Sequence, residues 1–421
     1  MLTISKNQRS FEQDGTPFFY LADTCWSAFT NIAEDEWEFY LKKRKQQGFN
    51  TLQINILPQW DACQVPGMRQ PFLVDEHGNY EYSSYHEEYF HHAALMCERA
   101  ASYGFTLALV VLWCNYIPDT WAYKIFKKNA FPIENIADYV KKIDETFARF
   151  HPIYIISGDT DFTDISKAYY IEAAKQVQMI CKGSLVTTHI KGRYSEIPEE
   201  LDELIDFYMY QSGHNALPEN QGMSYRRAYE FYQEKTKKPI INSEPCYEMM
   251  GSSGGCYHRF SRFDVRKAAW QSILSGASAG ITYGAAGIYS WQKDGYDADL
   301  TSEGFDRPNA WNQAMSYPGA WDYGHCKDLL ESMQIQELIP YELNAKSEEI
   351  RAAMNPDNTC LLIYMPYSTS ISLPLTFQEY RIRVMDLDHK WIAHVNTKVV
   401  KDKLCIDMHP FEADSLYILE K

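Results

Sequence analysis

Between residues 18 and 335 the chain alternates eight times between a short apolar, β-prone run and a longer amphipathic stretch. No other feature restricts the fold as much. A strand that feeds a helix and then a second parallel strand must bury a sheet beneath its helices. The spacing predicts strands over 18–23, 51–57, 106–113, 153–159, 184–189, 206–211, 239–244 and 280–284. It predicts helices over 34–47, 85–103, 134–150, 166–182, 225–237, 264–275 and 320–333. Gly48 and Gly104 follow directly on the first two helices, where a chain turns out of helical conformation. Eight such units predict the α/β class and a (β/α)8 TIM barrel. A doubly wound sheet is the alternative, but no glycine-rich turn follows the first strand.

Before the barrel, Phe11 to Pro17 reads as a hairpin that floors it. After Pro340 helical periodicity stops, and short strands separated by turn residues predict a small β-sandwich. The expected domains are therefore a catalytic barrel over 1–338 and a sandwich over 339–421.

In such a barrel the chemistry sits at the carboxyl ends of the strands. Every end here carries a polar or aromatic residue: Asp23 and Trp26; Asn55 with Gln59 to Asp61; Trp113 and Asn115; Asp159 and Asp161; His189; Gln211 and His214; Glu244 with Tyr247 and Glu248; Tyr283. Asp161 and His214 read as solvated loop residues, with Asp161 a reserve acid. Asp159 and Glu244 are different, because each closes a buried apolar run, and an unpaired carboxylate there costs free energy.

Two carboxyl groups on strands four and seven suit a glycosidase. In the retaining route Glu244 attacks the anomeric carbon and Asp159 serves first as acid, then as base. Asp23, Trp26, Asn55, Trp113, Asn115, His189, Gln211, Tyr247, Glu248, Tyr283 and Trp291 are the expected substrate contacts. One or two of Trp26, Trp60, Trp113, Trp121 and Trp291 are expected to form a sugar platform.

A formal charge of −16 argues against nucleic acid or an anionic membrane as partner. No window approaches the roughly 18 apolar residues of a membrane span. Met1 to Asn7 has no apolar signal core, and the ten cysteines contain no C-x-x-C pair, which predicts reduced, buried thiols in a cytoplasmic protein. Aromatic residues make up 15% of the chain, which suits a carbohydrate cleft. The expected partner is a small oligosaccharide or glycoside, with no cofactor and no metal.

Four stretches carry a resemblance: Phe19–Trp26, Gly48–Gln53, Ser157-Gly158-Asp159, and Lys238–Glu248. They are similar to the apiosidase-like glycoside hydrolases, within the clan of retaining enzymes that place an acid at strand four and a nucleophile at strand seven. The resemblance implies Asp159 as acid/base and Glu244 as nucleophile. The wider clan usually has Asn-Glu at strand four, where this chain has Gly158-Asp159, as fits the apiosidase-like subgroup. The family's substrates are plant cell-wall side chains, terminal apiose included. The β tail resembles the small sandwich that often follows this barrel, once labelled a collagen-binding domain.

Competing readings are a non-catalytic carbohydrate-binding barrel, an endo-acting glucanase-type enzyme, and a metal-dependent barrel hydrolase. The last needs His-x-His after strand one, where this chain has Ala22-Asp23-Thr24. His86 and His91 lie five apart, so they fall on different helix faces and do not form a zinc-protease pair. Gly251 to Gly255 lacks the Gly-Lys-Ser/Thr of a phosphate loop and is expected to form a rim that closes over substrate.

Overall fold

The computed structural model describes residues 1–233, 236–253, 258–296 and 307–421. Eight parallel strands form the barrel: β1 (Tyr20–Thr24), β2 (Thr51–Asn55), β3 (Thr106–Trp113), β4 (Ile153–Gly158), β5 (Val186–Thr187), β6 (Tyr208–Gln211), β7 (Ile240–Glu244) and β8 (Gly280–Tyr283). Each pairs with its neighbour in sequence except β5 with β6, and β8 pairs with β1. The seam between β5 and β6 is closed by a parallel bridge from His189 to Met209 and by the Thr187 hydroxyl, which donates to the Phe207 carbonyl at 2.7 Å.

The helices that wrap the barrel are α1 (Glu34–Gln46), α2 (Glu87–Ser102), α3 (Ile136–Phe147), α4 (Asp164–Ile180), α5 (Glu199–Asp202), α6 (Met223–Gln233), α7 (Arg262–Ile273) and α8 (Gly319–Ser332). Local chemistry sets their limits. α1 opens on Glu34, Asp35 and Glu36 and closes on Lys43, Arg44 and Lys45, matching the sign of the helix dipole at each end. It stops at Gly48, which adopts φ +87°. The Thr163 hydroxyl accepts from Ser166 N–H at 3.1 Å and starts α4.

Inside the barrel, Gln53 joins four strands. Its Oε1 accepts from the hydroxyls of Tyr20 (3.0 Å) and Thr282 (3.1 Å), while its Nε2 donates to the Ser243 carbonyl (3.1 Å). A buried amide satisfied this way costs little and fixes the register of β1, β2, β7 and β8. The expected hairpin is present as Phe11–Gln13 and Thr16–Phe18, with Leu2–Ile4 added at its edge. Phe11 meets Phe207 edge-on at 5.1 Å, so the hairpin underlies the amino-terminal side. The stretch before α2, expected to be loop, contains a hairpin instead, Phe72–Val74 with Tyr80–Tyr85.

The tail is antiparallel. One sheet contains Ile339–Pro340, Arg351–Met354, Cys360–Met365, Ser415–Glu420, Arg381–Asp386 and Ile392–Ala393; the other contains Ile371–Pro374, Lys403–Ile406 and Thr397–Val400. Cys360–Met365 is an unbroken apolar run because both its faces are covered. Leu361 and Ile363 pack into the tail's own core, while Leu362 and Tyr364 join the barrel core. A buried ionic cluster crosses the same boundary. Arg266 on α7 contacts Asp414 through Nε at 3.0 Å and Asp322 through NH1 at 2.8 Å, and the Tyr364 hydroxyl also donates to Asp414.

The nine described cysteines are free, and eight of them are buried; Cys256 lies outside the described residues. Among the described residues no helix is long and apolar enough to cross a membrane.

Candidate active site

Glu244 closes β7 at a slip in the ladder. Asn242 pairs with Tyr210, yet Glu244 pairs with the next residue of β6, Gln211, which leaves Ser243 as the extra residue. A bulge of this kind bends its strand and re-aims a side chain. Glu244 is 7% exposed and lines a cleft of about 220 Å³ at the carboxyl ends of the strands.

Two histidines hold it. His214 Nε2 lies 2.8 Å from one carboxylate oxygen, and His189 Nε2 lies 3.1 Å from the other. Main-chain groups set the tautomer of both rings. His189 Nδ1 accepts from Asp159 N–H at 2.9 Å, and His214 Nδ1 accepts from Tyr247 N–H at 3.3 Å. An Nδ1 that accepts carries no proton, which leaves Nε2 as the protonated nitrogen of each ring; His214 directs it at one Glu244 oxygen, and His189 Nε2 lies beside the other. Burial pushes the Glu244 carboxyl up, but the two imidazoles beside it, His189 and His214, outweigh burial and hold the group below the usual carboxylate range.

Asp159 follows β4 and also lines the cleft. Its backbone is left-handed, with φ +47°. Both flanking peptide groups are anchored: the N–H on His189, and the carbonyl on Trp121 Nε1 at 2.6 Å. Gly158 lies directly beneath the Trp113 indole, where any β-carbon would collide with Cε3. Trp113 in turn stacks on His189 (5.7 Å, 28°) and tilts against Trp26 (5.2 Å, 58°).

Of the expected contacts, Trp26, Trp113, Gln211 and Tyr247 line the cleft, and Trp60 and Trp121 form an aromatic wall at 6.1 Å, edge to face. Trp26 Nε1 donates to the Tyr247 hydroxyl at 2.9 Å, so these two fix each other. His189 is fully buried behind Glu244 and stays out of the lining. Asn55 and Asn115 lie beneath it, with Asn55 donating to Gln59, which does reach the cleft.

Five other expected site residues lie away from the cleft. Asp23 faces outward from β1, because strand residues alternate sides and Tyr20 takes the inward register. Its carboxylate is bound to Arg44 Nε (2.6 Å) and the Tyr40 hydroxyl (2.7 Å) on α1. Glu248 and Tyr283 bond each other at 2.6 Å, and Glu248 also accepts from Gly319 N–H at the start of α8. Burial pushes the Glu248 carboxyl up. Trp291 is fully buried, stacked on Trp311 at 4.7 Å, with its Nε1 bound to Glu36. Asp161, the reserve acid, accepts from Trp121 N–H at 3.1 Å and does not line the cleft.

Sequence reading missed His214, read there as solvated, along with Lys191, Gly192, Arg193, Met250 and Tyr289. A signal existed for some of them. His214 follows a strand end and a glycine, and Lys191 and Arg193 come directly after His189. Of the expected rim, 251–255, residues 254 and 255 lie outside the described residues, and Ser253 reaches the cleft.

A family model for the apiosidase-like catalytic domain matches residues 5–337. The chain belongs to the apiosidase-like family. No curated protein matches this family member in sequence. A glycoside hydrolase family 5 protein of Bacteroides vulgatus superposes on it with TM-score 0.81 at 21% identity, over 100% of this chain and 93% of that one. A second structure, described only as a glycoside hydrolase, gives 0.79 at 21%, over 100% and 96%. At these identities the superpositions show the shared fold, a TIM barrel followed by a β domain. Barrel and family together make this apiosidase-like chain a glycosidase.

Proposed function

We propose that this protein is a metal-independent retaining glycosidase that removes a terminal sugar from small plant-derived glycosides. Glu244 is the nucleophile and Asp159 the acid/base. The observation that carries the reading is the Glu244 carboxylate, bracketed by the Nε2 atoms of His189 and His214 and open to the same cleft as Asp159. An anion held this way is ready to attack, and a general acid works from the far side of the bond.

In the first step Glu244 forms an ester with the anomeric carbon while Asp159 gives its proton to the departing oxygen. In the second, Asp159 takes a proton from water, and that water cleaves the ester. Trp26, Trp113 and Tyr247 supply apolar faces for the sugar ring, and Gln211 supplies hydrogen bonds. A cleft of about 220 Å³ favours one or two sugar units over a long polymer. Apiose as the released sugar rests on the family likeness.

The test is a panel of aryl glycosides, apioside included, with wild type, Glu244→Ala and Asp159→Ala. Azide should rescue Glu244→Ala with an inverted product. Full activity in Glu244→Ala would remove the nucleophile, and loss of wild-type activity with a chelator would favour a metal-dependent hydrolase.

A further inference from the structure

His189 touches both proposed catalytic residues, through opposite nitrogens of one ring. We propose that it is a positioning residue that ties the placement of Asp159 to the ionisation of Glu244. This rests on the roles given to those two residues above.

The ring cannot turn. It is fully buried, stacked on Trp113 at 5.7 Å and met edge-on by Trp26 at 5.7 Å. Nδ1 receives the Asp159 N–H at 2.9 Å, and Nε2 lies 3.1 Å from Glu244 Oε2. Each contact has its own effect. The Nδ1 bond, with Trp121 Nε1 on the following carbonyl, pins the left-handed backbone of Asp159. Only that conformation lets a short acid project from the end of β4. Nε2, the nitrogen left to carry the proton, lies beside the Glu244 carboxylate and favours its charged form. Because one proton sits on one ring, the two effects are coupled: the main-chain bond at Nδ1 forces the proton to Nε2, where Glu244 needs it.

The charged and titratable groups that line the cleft in front of the ring are Asp61 after β2, Asp159 after β4, Lys191 and Arg193 after β5, His214 after β6, Glu244 and Tyr247 on and after β7, and Tyr289 after β8. The indoles of Trp26 and Trp113 cover its faces, and neither titrates.

Glutamine places an amide nitrogen near the Nε2 position, and asparagine places an amide oxygen near Nδ1. Each therefore restores one contact. The experiment compares His189→Ala, His189→Gln and His189→Asn with wild type, using the aryl glycoside that wild type cleaves fastest. It measures kcat and KM across pH, together with the ring-nitrogen NMR shifts of His189 in wild type.

His189→Ala should lose about 10²–10³-fold in kcat with little change in KM. His189→Gln should keep the wild-type acid limb and shift the basic limb. His189→Asn should do the reverse, with an acid limb displaced upward. The wild-type ring should show a bare Nδ1 and a protonated Nε2. A protonated Nδ1, or pH profiles that do not separate Gln from Asn, would overturn the proposal. A wild type that cleaves no glycoside sinks the glycosidase reading instead, and the ring-nitrogen shifts then decide the bridge by themselves.

Discussion

The indole of Trp113 lies over Gly158, in the space that a β-carbon on residue 158 would need. That contact accounts for the glycine before the acid. Trp113 can reach His189 and Trp26 only across a residue with no side chain.

Gly158→Ala should therefore displace Trp113 and loosen the His189 ring that contacts Glu244 and the main chain of Asp159. The expected loss is about 10²-fold in kcat/KM, with a stability cost of about 1–3 kcal/mol for overpacking. Steady-state kinetics beside a urea titration checks both. Wild-type kinetics in this variant would show that the indole has no part in the site.

The Glu244 carboxyl is held below its usual range in the fold, so its ionisation supports folding at neutral pH. That contribution is lost as pH falls through the lowered value. His214→Ala removes one donor and leaves the burial, so the group should climb. The acid limb of kcat/KM should move upward by about one unit, as a pH–rate series would record. An unmoved limb would mean that His214 does not tune Glu244.

Asp23 and Arg44 form a fully buried ion pair between β1 and α1, away from the cleft. Asp23→Asn should destabilise the fold by about 3 kcal/mol, since it leaves the guanidinium uncompensated. KM should stay at its wild-type value. A rise in KM without loss of stability would restore Asp23 to the substrate site.

Asp414→Asn weakens the cluster joining barrel to tail, where Arg266 also holds Asp322. The expected cost is again about 3 kcal/mol. Burial raises the Asp322 carboxyl, but Arg262, Lys390 and Arg266 together bring it below its usual range. The cluster's support should therefore fade as pH falls through the lowered value. Denaturation at several pH values tests this, and a variant as stable as wild type at pH 7 would contradict it.

Much of the fold was legible in the chain because its signals are local. Apolar runs of strand length, capped helices and glycine stops recur with one period, and a repeat of that kind has few ways to close. Asp159 and Glu244 were legible for a related reason: an acid placed directly on a buried run is costly wherever it lies. His189 is legible as a strand-end residue as well, though as a sugar contact and not as a link between the Glu244 carboxylate and the Asp159 main chain.

The composition of the cleft was not legible. Asp23, Glu248, Tyr283 and Trp291 look like site residues in one dimension, yet each is occupied elsewhere. Trp291 is bound to Glu36, 255 positions away, and Glu248 to Gly319, 71 away. His214 looked like a solvated loop residue because nothing near it in sequence reveals that β6 places it against β7. By itself the sequence determined a barrel with two acid-tipped strands, since strand period and strand end are properties of neighbouring residues. Only the tertiary structure decided which polar ends face the cleft. That choice depends on which side of each strand a residue leaves, on the slip in β7, and on partners brought together by closure of the barrel.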